Sequence, residues 1–231
     1  VFIHARYNFR GHRNDPVDWR PWSQEAFDEA KRTQKPILLS LGYLACHWCH
    51  VLQAESFTDE ATAKTINELF IPVLVDREER PEIDQIYQQA ALLMGSQTGW
   101  PLNVFLSPDA TPFFAVGYLP PEPRQGLPAF SEALDTVAET FRDQQDEIAA
   151  LGASLKHAMA QRSRPAAGEP SGLALDLALG QIEREIDVFN GGIGTAPKVP
   201  RLPTLETLWR GYLRKTLPVL RDSVVHALTS M

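Results

Sequence analysis

The sequence predicts an α/β fold in which helices flank a central mixed sheet, followed by a partial all-α segment. Three observations support this prediction: two short apolar runs are joined by a helical pattern, two β-rich runs are joined by a turn, and the C-terminal part shows helical periodicity alone. The chain has 231 residues, of which 44% are hydrophobic and 22% are charged. This length and composition are typical of one large globular domain or two modest ones.

The first predicted helix follows Ser23, a residue type that is typical of a helix N-cap, and runs to about Thr33. Trp22 can pack onto Phe27 inside this helix as a hydrophobic staple. Pro36 then precedes the apolar run ILLSLGY. Because this run does not alternate with polar residues, it is typical of a central strand that is covered on both faces.

A connecting helix and a second strand come next. Asp59 to Phe70 shows helical spacing, and the run IPVLVD that follows it predicts the strand. The segment between the two apolar runs is long enough for a right-handed helical crossover. We therefore predict a βαβ unit with two parallel strands.

The rest of the first domain is predicted as a helix, a hairpin and two further helices. A turn-forming segment, Ser107 to Ala110, joins the β-rich runs of PLNVFLSPDATPFFAVGYL, which predicts an antiparallel hairpin. From Leu127 to Gln161 apolar residues recur at helical intervals. Before the hairpin, Pro81 begins a helix whose core face is predicted to hold Ile83, Ile86, Tyr87, Ala90 and Leu93.

The composition changes at residues 162–172, where RSRPAAGEPSG is poor in large apolar residues and rich in Pro, Gly and Ser. This segment is typical of a linker. It separates a domain with an N-terminal extension, at 1–161, from a helical segment at 173–231. We predict helices there from Leu173 to Phe189 and from Leu205 to Leu228. About 60 residues of helix cannot close much of a core unaided, so we interpret this segment as the beginning of a larger domain.

Charge and hydropathy disfavour two classes of partner. The 22 basic and 29 acidic residues give a net charge of -7, which repels nucleic acid and anionic membrane surfaces.

The longest apolar runs are too short to span a bilayer. The first residues, VFIHARYNFR, lack the basic and apolar regions of an export signal. We therefore expect a soluble, cytoplasmic protein.

The two cysteines form the motif Cys46-His47-Trp48-Cys49, shortly after the first predicted strand. A helix that begins at Cys46 would place its sulfur among unpaired backbone N–H groups, which favour the thiolate. Cys49, one turn later, could then form and break a disulfide with Cys46. A protonated His47 would add positive charge beside the thiolate. This arrangement indicates thiol–disulfide exchange.

Three other interpretations of the motif stay open. Cys46, Cys49 and His50 also match the c-type haem attachment motif, although no export signal accompanies it. Together with His47 they offer zinc ligands, but ligands so close in sequence cannot easily surround one tetrahedral ion. The cysteines could also be inert core residues. We favour the redox interpretation and expect neither a cofactor nor a metal.

Residues outside the motif are candidates for the surroundings of the site. Pro101 follows Trp100 where the predicted hairpin begins, and a cis bond between them would explain a proline at this position, although trans bonds are commoner. Trp48 and Trp100 are expected to pack around the site or, if both are exposed, to form an apolar rim for a thiol partner.

Two further sets of polar residues are interpreted mainly as surface residues. The run Asp76 to Arg80 is most simply a solvated loop with local ion pairs, and the alternative is a functional loop near the cysteines. His4 and His12 have no metal-binding partner at helical spacing. We expect both histidines to lie at the surface.

Five stretches of the sequence resemble the spermatogenesis-associated, thioredoxin-like family found from bacteria to animals. The resemblance implies a thioredoxin-like domain followed by an (α/α) barrel similar to the six-hairpin glycosidases and sugar epimerases. The segment after Gly172 resembles the beginning of that barrel, and most of the barrel is absent from this sequence. The five stretches are DPVDW (Asp15 to Trp19), ACHWCH (Ala45 to His50), VDREERPEID (Val75 to Asp84), GWPLNVFLSPD (Gly99 to Asp109) and GGIGTAPKVP (Gly191 to Pro200).

The same resemblance implies roles for the cysteines. By similarity to thioredoxins, Cys46 would be the attacking cysteine, Cys49 the resolving one, and Pro101 a cis-proline that faces them. The chain departs from the thioredoxin pattern at Ser40, where thioredoxins usually bury an aspartate, and at Pro72, which corresponds to a lysine that often pairs with that aspartate. The usual proton acceptor for the resolving thiol is therefore missing.

We predict a thiol–disulfide oxidoreductase-like protein that exchanges disulfides with a protein or small-molecule thiol partner. Because the usual proton acceptor is missing, His47 or His50 would have to help. The alternative is a non-catalytic thioredoxin-like binding module that docks against its own C-terminal helical domain or another partner. The predicted catalytic residues are Cys46, Cys49, His47 and Pro101, and the predicted substrate-binding residues are Trp48, Trp100 and His50.

Overall fold

The structure, a computed structural model, describes residues 11–162, 172–195, 198 and 201–230. Two compact units, Val1–Arg164 and Pro165–Met231, divide the chain. Most of the predicted linker at 162–172 lies outside the described residues, so the linker stays a prediction. None of the helices in the described ranges combines the length and the apolar character that crossing a bilayer requires.

The first unit alternates helices and strands in the order that the sequence predicts. A π-helical turn, Gln53–Phe57, continues the helix that carries the cysteines. The other elements are α1 (Gln24–Thr33), β1 (Ile37–Gly42), α2 (His47–Leu52), α3 (Glu60–Leu69), β2 (Ile71–Asp76), α4 (Pro81–Leu93), β3 (Leu102–Leu106), β4 (Pro112–Val116), α5 (Phe130–Asp143) and α6 (Gln145–Arg162).

The four strands form one mixed sheet in the order β2-β1-β3-β4. β1 pairs in parallel with β2 and antiparallel with β3, and β4 continues the sheet as the antiparallel partner of β3. The predicted βαβ unit and the predicted hairpin are both confirmed. A four-stranded mixed sheet with helices on both faces is the thioredoxin-like fold that the sequence indicates.

The core has two layers because successive side chains of a strand point to opposite faces of the sheet. One layer joins Leu38 and Phe105 to α3 and α5. The other joins Leu39 and Val104 to α1 and α4. All six residues of β1 are buried, which confirms the prediction of a central strand covered on both faces. The loop after β1, which leads to the cysteines at the N-terminus of α2, therefore begins from a strand that is covered on both faces.

Local signals position α1, whereas contacts from elsewhere in the chain decide part of the buried face of α4. The side chain of Ser23 caps α1 by accepting a hydrogen bond from the Ala26 N–H at 3.4 Å, and the rings of Trp22 and Phe27 lie 4.7 Å apart. In α4 the predicted core face is wrong at Ile86, which is 49% exposed. Asp84 is buried in α4 instead, because its carboxylate binds side chains of the site described below.

The second unit contains, within its described residues, α7 (Gly172–Arg184), α8 (Leu202–Lys215) and α9 (Pro218–Thr229). They enclose a small core around Leu179, Leu208 and Leu220. The interpretation of this unit as the beginning of a barrel stays a prediction.

Two predicted helix boundaries in the second unit are wrong. α7 ends at Arg184, well before Phe189, and the chain then forms an isolated bridge between Ile186 and Ile193. The single helix predicted from Leu205 to Leu228 is two helices. Thr216 adopts a left-handed conformation with φ 55°, which ends α8, and a proline begins α9.

Candidate functional site

The cysteine pair lies at the N-terminus of α2, shortly after the end of β1. Cys46 is the N-cap of α2, and its Sγ accepts a hydrogen bond from the backbone N–H of Cys49 at 3.2 Å. The two side chains form a disulfide, with Cα atoms 5.2 Å apart, which is within the usual range for disulfides. The structure thus confirms that a helix begins here and that the cysteines reach each other. Their catalytic roles stay predictions.

The two cysteines differ in exposure. Cys46 is 4% exposed, whereas Cys49 is partly exposed. This order is opposite to that expected for an accessible attacking cysteine and a sheltered resolving one. The assignment of Cys46 as the attacking cysteine therefore depends on its N-cap position, where a backbone N–H group can stabilise a thiolate.

The two histidines beside the cysteines are exposed. Nε2 of His50 donates a hydrogen bond to the carbonyl oxygen of Leu44 at 2.6 Å, so this ring ties the loop before the cysteines to the helix after them. The ring of His47 lies 5.6 Å from that of Trp48. Neither contact involves a cysteine, and the catalytic role of His47 and the substrate-binding role of His50 stay predictions.

The loop before β3 places Pro101 beside Cys49, since both residues line one small cavity. The Trp100–Pro101 peptide bond is cis, as the resemblance to thioredoxins implies. Gly99 adopts φ 128°, a conformation that favours glycine. Its N–H donates to Oε1 of Gln88 at 2.9 Å, and its carbonyl oxygen accepts from Nε2 of the same side chain at 2.8 Å. Through Gln88, α4 holds this loop in place.

A cluster of aromatic and charged side chains supports the same loop. The guanidinium of Arg77 lies 3.9 Å from the ring centroid of Trp100 and 5.5 Å from that of Tyr43, which are cation–π distances. Asp84 accepts a hydrogen bond from Nε1 of Trp100 at 2.8 Å and lies 3.6 Å from Nε of Arg77. Trp100 is therefore packed and bonded into the domain, and its substrate-binding role stays a prediction.

The solvated-loop interpretation of residues 76–80 is wrong at the first two positions. Asp76 is 5% exposed, and its carboxylate accepts a hydrogen bond from the N–H of Glu78 at 2.8 Å. Arg77 is partly buried by its aromatic neighbours. The remaining three residues of the run are exposed, as expected.

An aromatic side chain on α2 forms the exposed edge of the site. Trp48 is 50% exposed, and its ring lies 4.9 Å from that of Tyr118. The Tyr118 hydroxyl donates to Glu55 at 2.5 Å and accepts from Arg124 at 2.8 Å. We call Trp48 and Tyr118, together with Glu55 and Arg124, which bind the Tyr118 hydroxyl, the aromatic rim. Desolvation and the hydrogen bond to Glu55 raise the pKa of Tyr118. Among the ring contacts of the described residues, none joins Trp48 to Trp100, so the tryptophans do not form the rim together.

The small cavity beside Cys49 is lined by His12, Ser40, Phe57, Leu74 and Pro101, among others. The space open to the centre of a water molecule is ≈ 10 Å³, which is close to the minimum that about one water requires. On β2 the register partner of Ser40 is Leu74, whereas the prediction places Pro72 at the position of the missing lysine. Both residues are uncharged, so the conclusion that the usual ion pair is absent does not change.

His12 is buried, so the expectation that it lies at the surface is wrong. It is 8% exposed. Its Nδ1 is 2.6 Å from Oδ2 of Asp15, whose side chain is 2% exposed. Asp15 also accepts hydrogen bonds from Nε1 of Trp19 at 3.2 Å and from Nε2 of Gln53 at 2.8 Å. His4 lies outside the described residues.

No role is predicted from the sequence for Asp15 or Gln53, and Arg77 is predicted only as part of a solvated or functional loop, although Asp15 and Arg77 lie in stretches that carry the family resemblance. Asp15 begins DPVDW, with His12 three residues before it, and Arg77 lies in VDREERPEID. A histidine and an aspartate three residues apart, next to a stretch that has no assigned role, are the signal that could have indicated the buried pair.

The zinc interpretation gains no support. Within the described residues, no group of three or more His, Cys, Asp or Glu side chains is arranged to hold a metal ion. Of the four residues that this interpretation requires, Cys46 and Cys49 are joined to each other, and His50 is bound to a backbone carbonyl.

The model of a family described as a protein of unknown function, DUF255, and named Thioredox_DsbH matches residues 4–160. The chain belongs to this family. It is the thioredoxin-like family that the five sequence stretches indicate.

Curated relatives of this DUF255 chain are much longer proteins. Spermatogenesis-associated protein 20 of Rattus norvegicus is 37% identical over 207 residues, which cover 87% of this chain and 26% of that protein. The uncharacterized protein B0495.5 of Caenorhabditis elegans is 37% identical over 197 residues, which cover 85% of this chain and 27% of that protein. The chain therefore spans about a quarter of the length of these relatives.

Two solved structures are similar to the DUF255 domain at low sequence identity. A DsbH oxidoreductase has a TM-score of 0.42 and 18% identity, covering 55% of this chain and 86% of that chain. A thioredoxin from Thermus thermophilus has a TM-score of 0.42 and 19% identity, and the match covers 55% of this chain and 90% of that chain. The fold assignment of this chain depends on its own strand order and on the family match.

Proposed function

We propose that this DUF255 domain exchanges disulfides with thiol partners through Cys46 and Cys49. The observation that supports the proposal is the pair itself: two cysteines one helical turn apart, joined in a disulfide at the end of the central strand. A short loop of this kind can be opened and closed by a thiolate without moving the strands. The N–H of Cys49, 3.2 Å from Sγ of Cys46, favours the thiolate of Cys46 in the reduced protein.

The reaction has two steps, formation of a mixed disulfide and its resolution. The Cys46 thiolate attacks one sulfur of a substrate disulfide, forms a mixed disulfide and releases one substrate thiolate, which takes a proton from solvent. Cys49 then loses its proton and attacks Sγ of Cys46, which releases the second substrate thiolate. The protein dithiol is oxidised by two electrons and the substrate disulfide is reduced by two. The reverse sequence oxidises a substrate dithiol.

A second candidate function is a non-catalytic binding module. It is favoured by the low exposure of Cys46, 4%, and by the half-exposed Trp48, which offers an apolar contact to a partner. In this case the disulfide would only stabilise the loop before α2. The two candidates differ in whether Cys46 and Cys49 exchange with an added thiol or disulfide.

The test uses reduced protein and oxidised glutathione. We expect the wild type to cycle between dithiol and disulfide in glutathione buffers of varied ratio, as measured by alkylation and mass spectrometry. We expect Cys49→Ser to accumulate a mixed disulfide between Cys46 and glutathione, because no second thiol resolves it. Cys46→Ser should form an adduct at least about tenfold more slowly, because the remaining thiol lacks the N-cap position.

Each outcome decides between the candidates. A folded wild-type protein whose cysteines do not exchange with glutathione would refute the redox function and leave the binding module. Rapid adduct formation in Cys46→Ser, with none in Cys49→Ser, would reverse the roles of the two cysteines. In that case the exposure of the cysteines, and not the N-cap position, determines which one attacks.

A further inference from the structure

We propose that His12, held by Asp15, is the base that takes the proton from Cys49 when this thiol resolves a mixed disulfide. The inference rests on the thiol–disulfide exchange proposed above and extends it to a residue outside the cysteine motif. Cys49 attacks as a thiolate, so a group near its sulfur must accept the thiol proton.

The cavity beside Cys49 restricts which group this can be. Ser40 lines the cavity and is 3% exposed, but a serine hydroxyl is not a base near neutral pH. Leu74, across the strand pair from Ser40, and the other neighbours Phe57 and Pro101 have no titratable group. Among the described residues that line the cavity, His12 is the one with a basic ring nitrogen in its side chain.

The hydrogen bond with Asp15 fixes the orientation of the His12 ring. Nδ1 is 2.6 Å from Oδ2 of Asp15, so the nitrogen that remains for proton exchange is Nε2. An aspartate bound to Nδ1–H also stabilises the imidazolium that forms when Nε2 takes a proton, as in Ser-His-Asp triads. The side chain of Asp15 is 2% exposed, and a buried carboxylate of this kind interacts strongly with the imidazolium.

Gln53 connects this pair to the helix that carries the cysteines. It lies in the π-helical turn that continues α2. Its Nε2 donates to Oδ1 of Asp15 at 2.8 Å and to the carbonyl oxygen of Gly11 at 2.9 Å. The N-terminal segment is therefore attached to the end of the cysteine helix by side-chain bonds. This attachment keeps His12 at the cavity that Cys49 also lines.

The proton transfer fits the size of the cavity. His12 and Cys49 line the same cavity, and its space open to a water centre, ≈ 10 Å³, is enough for about one water. The Cys49 proton passes through this water to Nε2, and the Cys49 thiolate attacks Sγ of Cys46. The bond between Cys46 and the substrate sulfur breaks, and the substrate thiolate takes a proton from solvent. In the reverse direction the imidazolium returns a proton to the Cys49 sulfur.

Within residues 11–162, the charged group that contacts His12 is Asp15, on the same N-terminal segment. The π-helical turn presents Gln53 and Phe57 to the pair, β1 presents Ser40, and α2 presents Cys49. Among the described residues in these contacts, the titratable groups are Asp15 and Cys49. The pH dependence of the resolving step should therefore report His12 and Cys49.

The test separates the two chemical steps. Reduced wild type, His12→Gln and His157→Gln are mixed with oxidised glutathione, quenched with acid and analysed by mass spectrometry. His157 is an exposed histidine of α6 and serves as the matched control. For His12→Gln we expect adduct formation at Cys46 within about twofold of wild type and resolution about 100-fold slower near pH 7. The rate of resolution should recover as the pH approaches the pKa of a free thiol, about 8.5.

A base role differs from a structural role in three measurements. Loss of structure would slow both steps and would leave the pH profile of resolution unchanged. Ser40→Asp, added to His12→Gln, should restore fast resolution, because it places a carboxylate in the same cavity. Resolution by His12→Gln at the wild-type rate and with the wild-type pH profile would refute the role of His12, although the exchange function would stand. If wild-type protein forms no mixed disulfide, both proposals fail.

A measurement on the unmodified protein covers the case in which His12→Gln does not fold. Histidine side chains labelled with ¹⁵N are titrated by NMR in the disulfide and dithiol forms. We expect the titration of the His12 ring to change between the two forms, because the Cys49 thiol appears at the cavity. The ring of His157 should titrate identically in both. Identical titration of His12 in both forms would refute the proposal.

Discussion

The aromatic rim and the cavity lie at the same cysteine pair but differ in how exposed their side chains are and how many hydrogen bonds hold them. Trp48, in the rim, is 50% exposed and makes its ring contacts near solvent. At the cavity, the side chain of His12 is 8% exposed, and that of Asp15 behind it is 2% exposed and binds His12, Trp19 and Gln53. A change in the rim should therefore alter partner binding while the fold persists. A change at the cavity should affect folding and chemistry together.

The largest effect on stability is expected from Asp15→Ala. This substitution leaves His12 and Trp19 without their buried acceptor and removes one of the two hydrogen bonds that Gln53 donates, which should lower the free energy of unfolding by about 3 kcal/mol. Urea unfolding at neutral pH measures this change. The control is Asp18→Ala, three residues later and exposed, for which we expect a change below about 0.5 kcal/mol. Equal stabilities of the two variants would show that the buried pair is not more important to the fold than a surface aspartate.

The fold was largely predictable because its signals are local. The N-cap Ser23, the unalternating run of β1 and the turn between β3 and β4 each depend on residues that are near one another in sequence. The position of the cysteine pair is local for the same reason, since Cys46 and Cys49 are three residues apart.

The cavity was not predictable because its contacts are long-range. Asp15 and Gln53 are 38 residues apart, so the spacing of His12 and Asp15 was the one local signal of the buried pair. Helical periodicity likewise predicts an apolar core face for α4 and cannot indicate that Asp84 is buried, because its partner Trp100 comes 16 residues later. The break between α8 and α9 had a local signal, Pro218, which is typical of the first turn of a helix.

A smaller and more selective effect is expected from Trp48→Ala. Loss of the ring contact with Tyr118 should lower the free energy of unfolding by about 1 kcal/mol. We expect slower exchange with a protein disulfide, measured with insulin, and an unchanged rate with oxidised glutathione, because only the larger substrate can contact an exposed indole. The control is Phe114→Ala, an aromatic residue of β4 that is 41% exposed. It should leave both exchange rates unchanged. Equal effects of Trp48→Ala on both substrates would exclude the rim as a surface for protein partners.

The smallest effect is expected from Tyr118→Phe, which keeps the ring and removes the hydrogen bonds with Glu55 and Arg124. The loss should be about 0.5–1 kcal/mol at neutral pH. Because the pKa of Tyr118 is raised in the folded state, the hydroxyl stabilises the fold fully below the pKa of an unfolded tyrosine, about 10, and loses this contribution as the pH rises through the folded-state pKa. The stability difference between wild type and variant should therefore be constant from about pH 6 to 9 and shrink above about pH 10. Urea unfolding across this range measures the difference, and a difference that grows with pH would contradict the bond to Glu55.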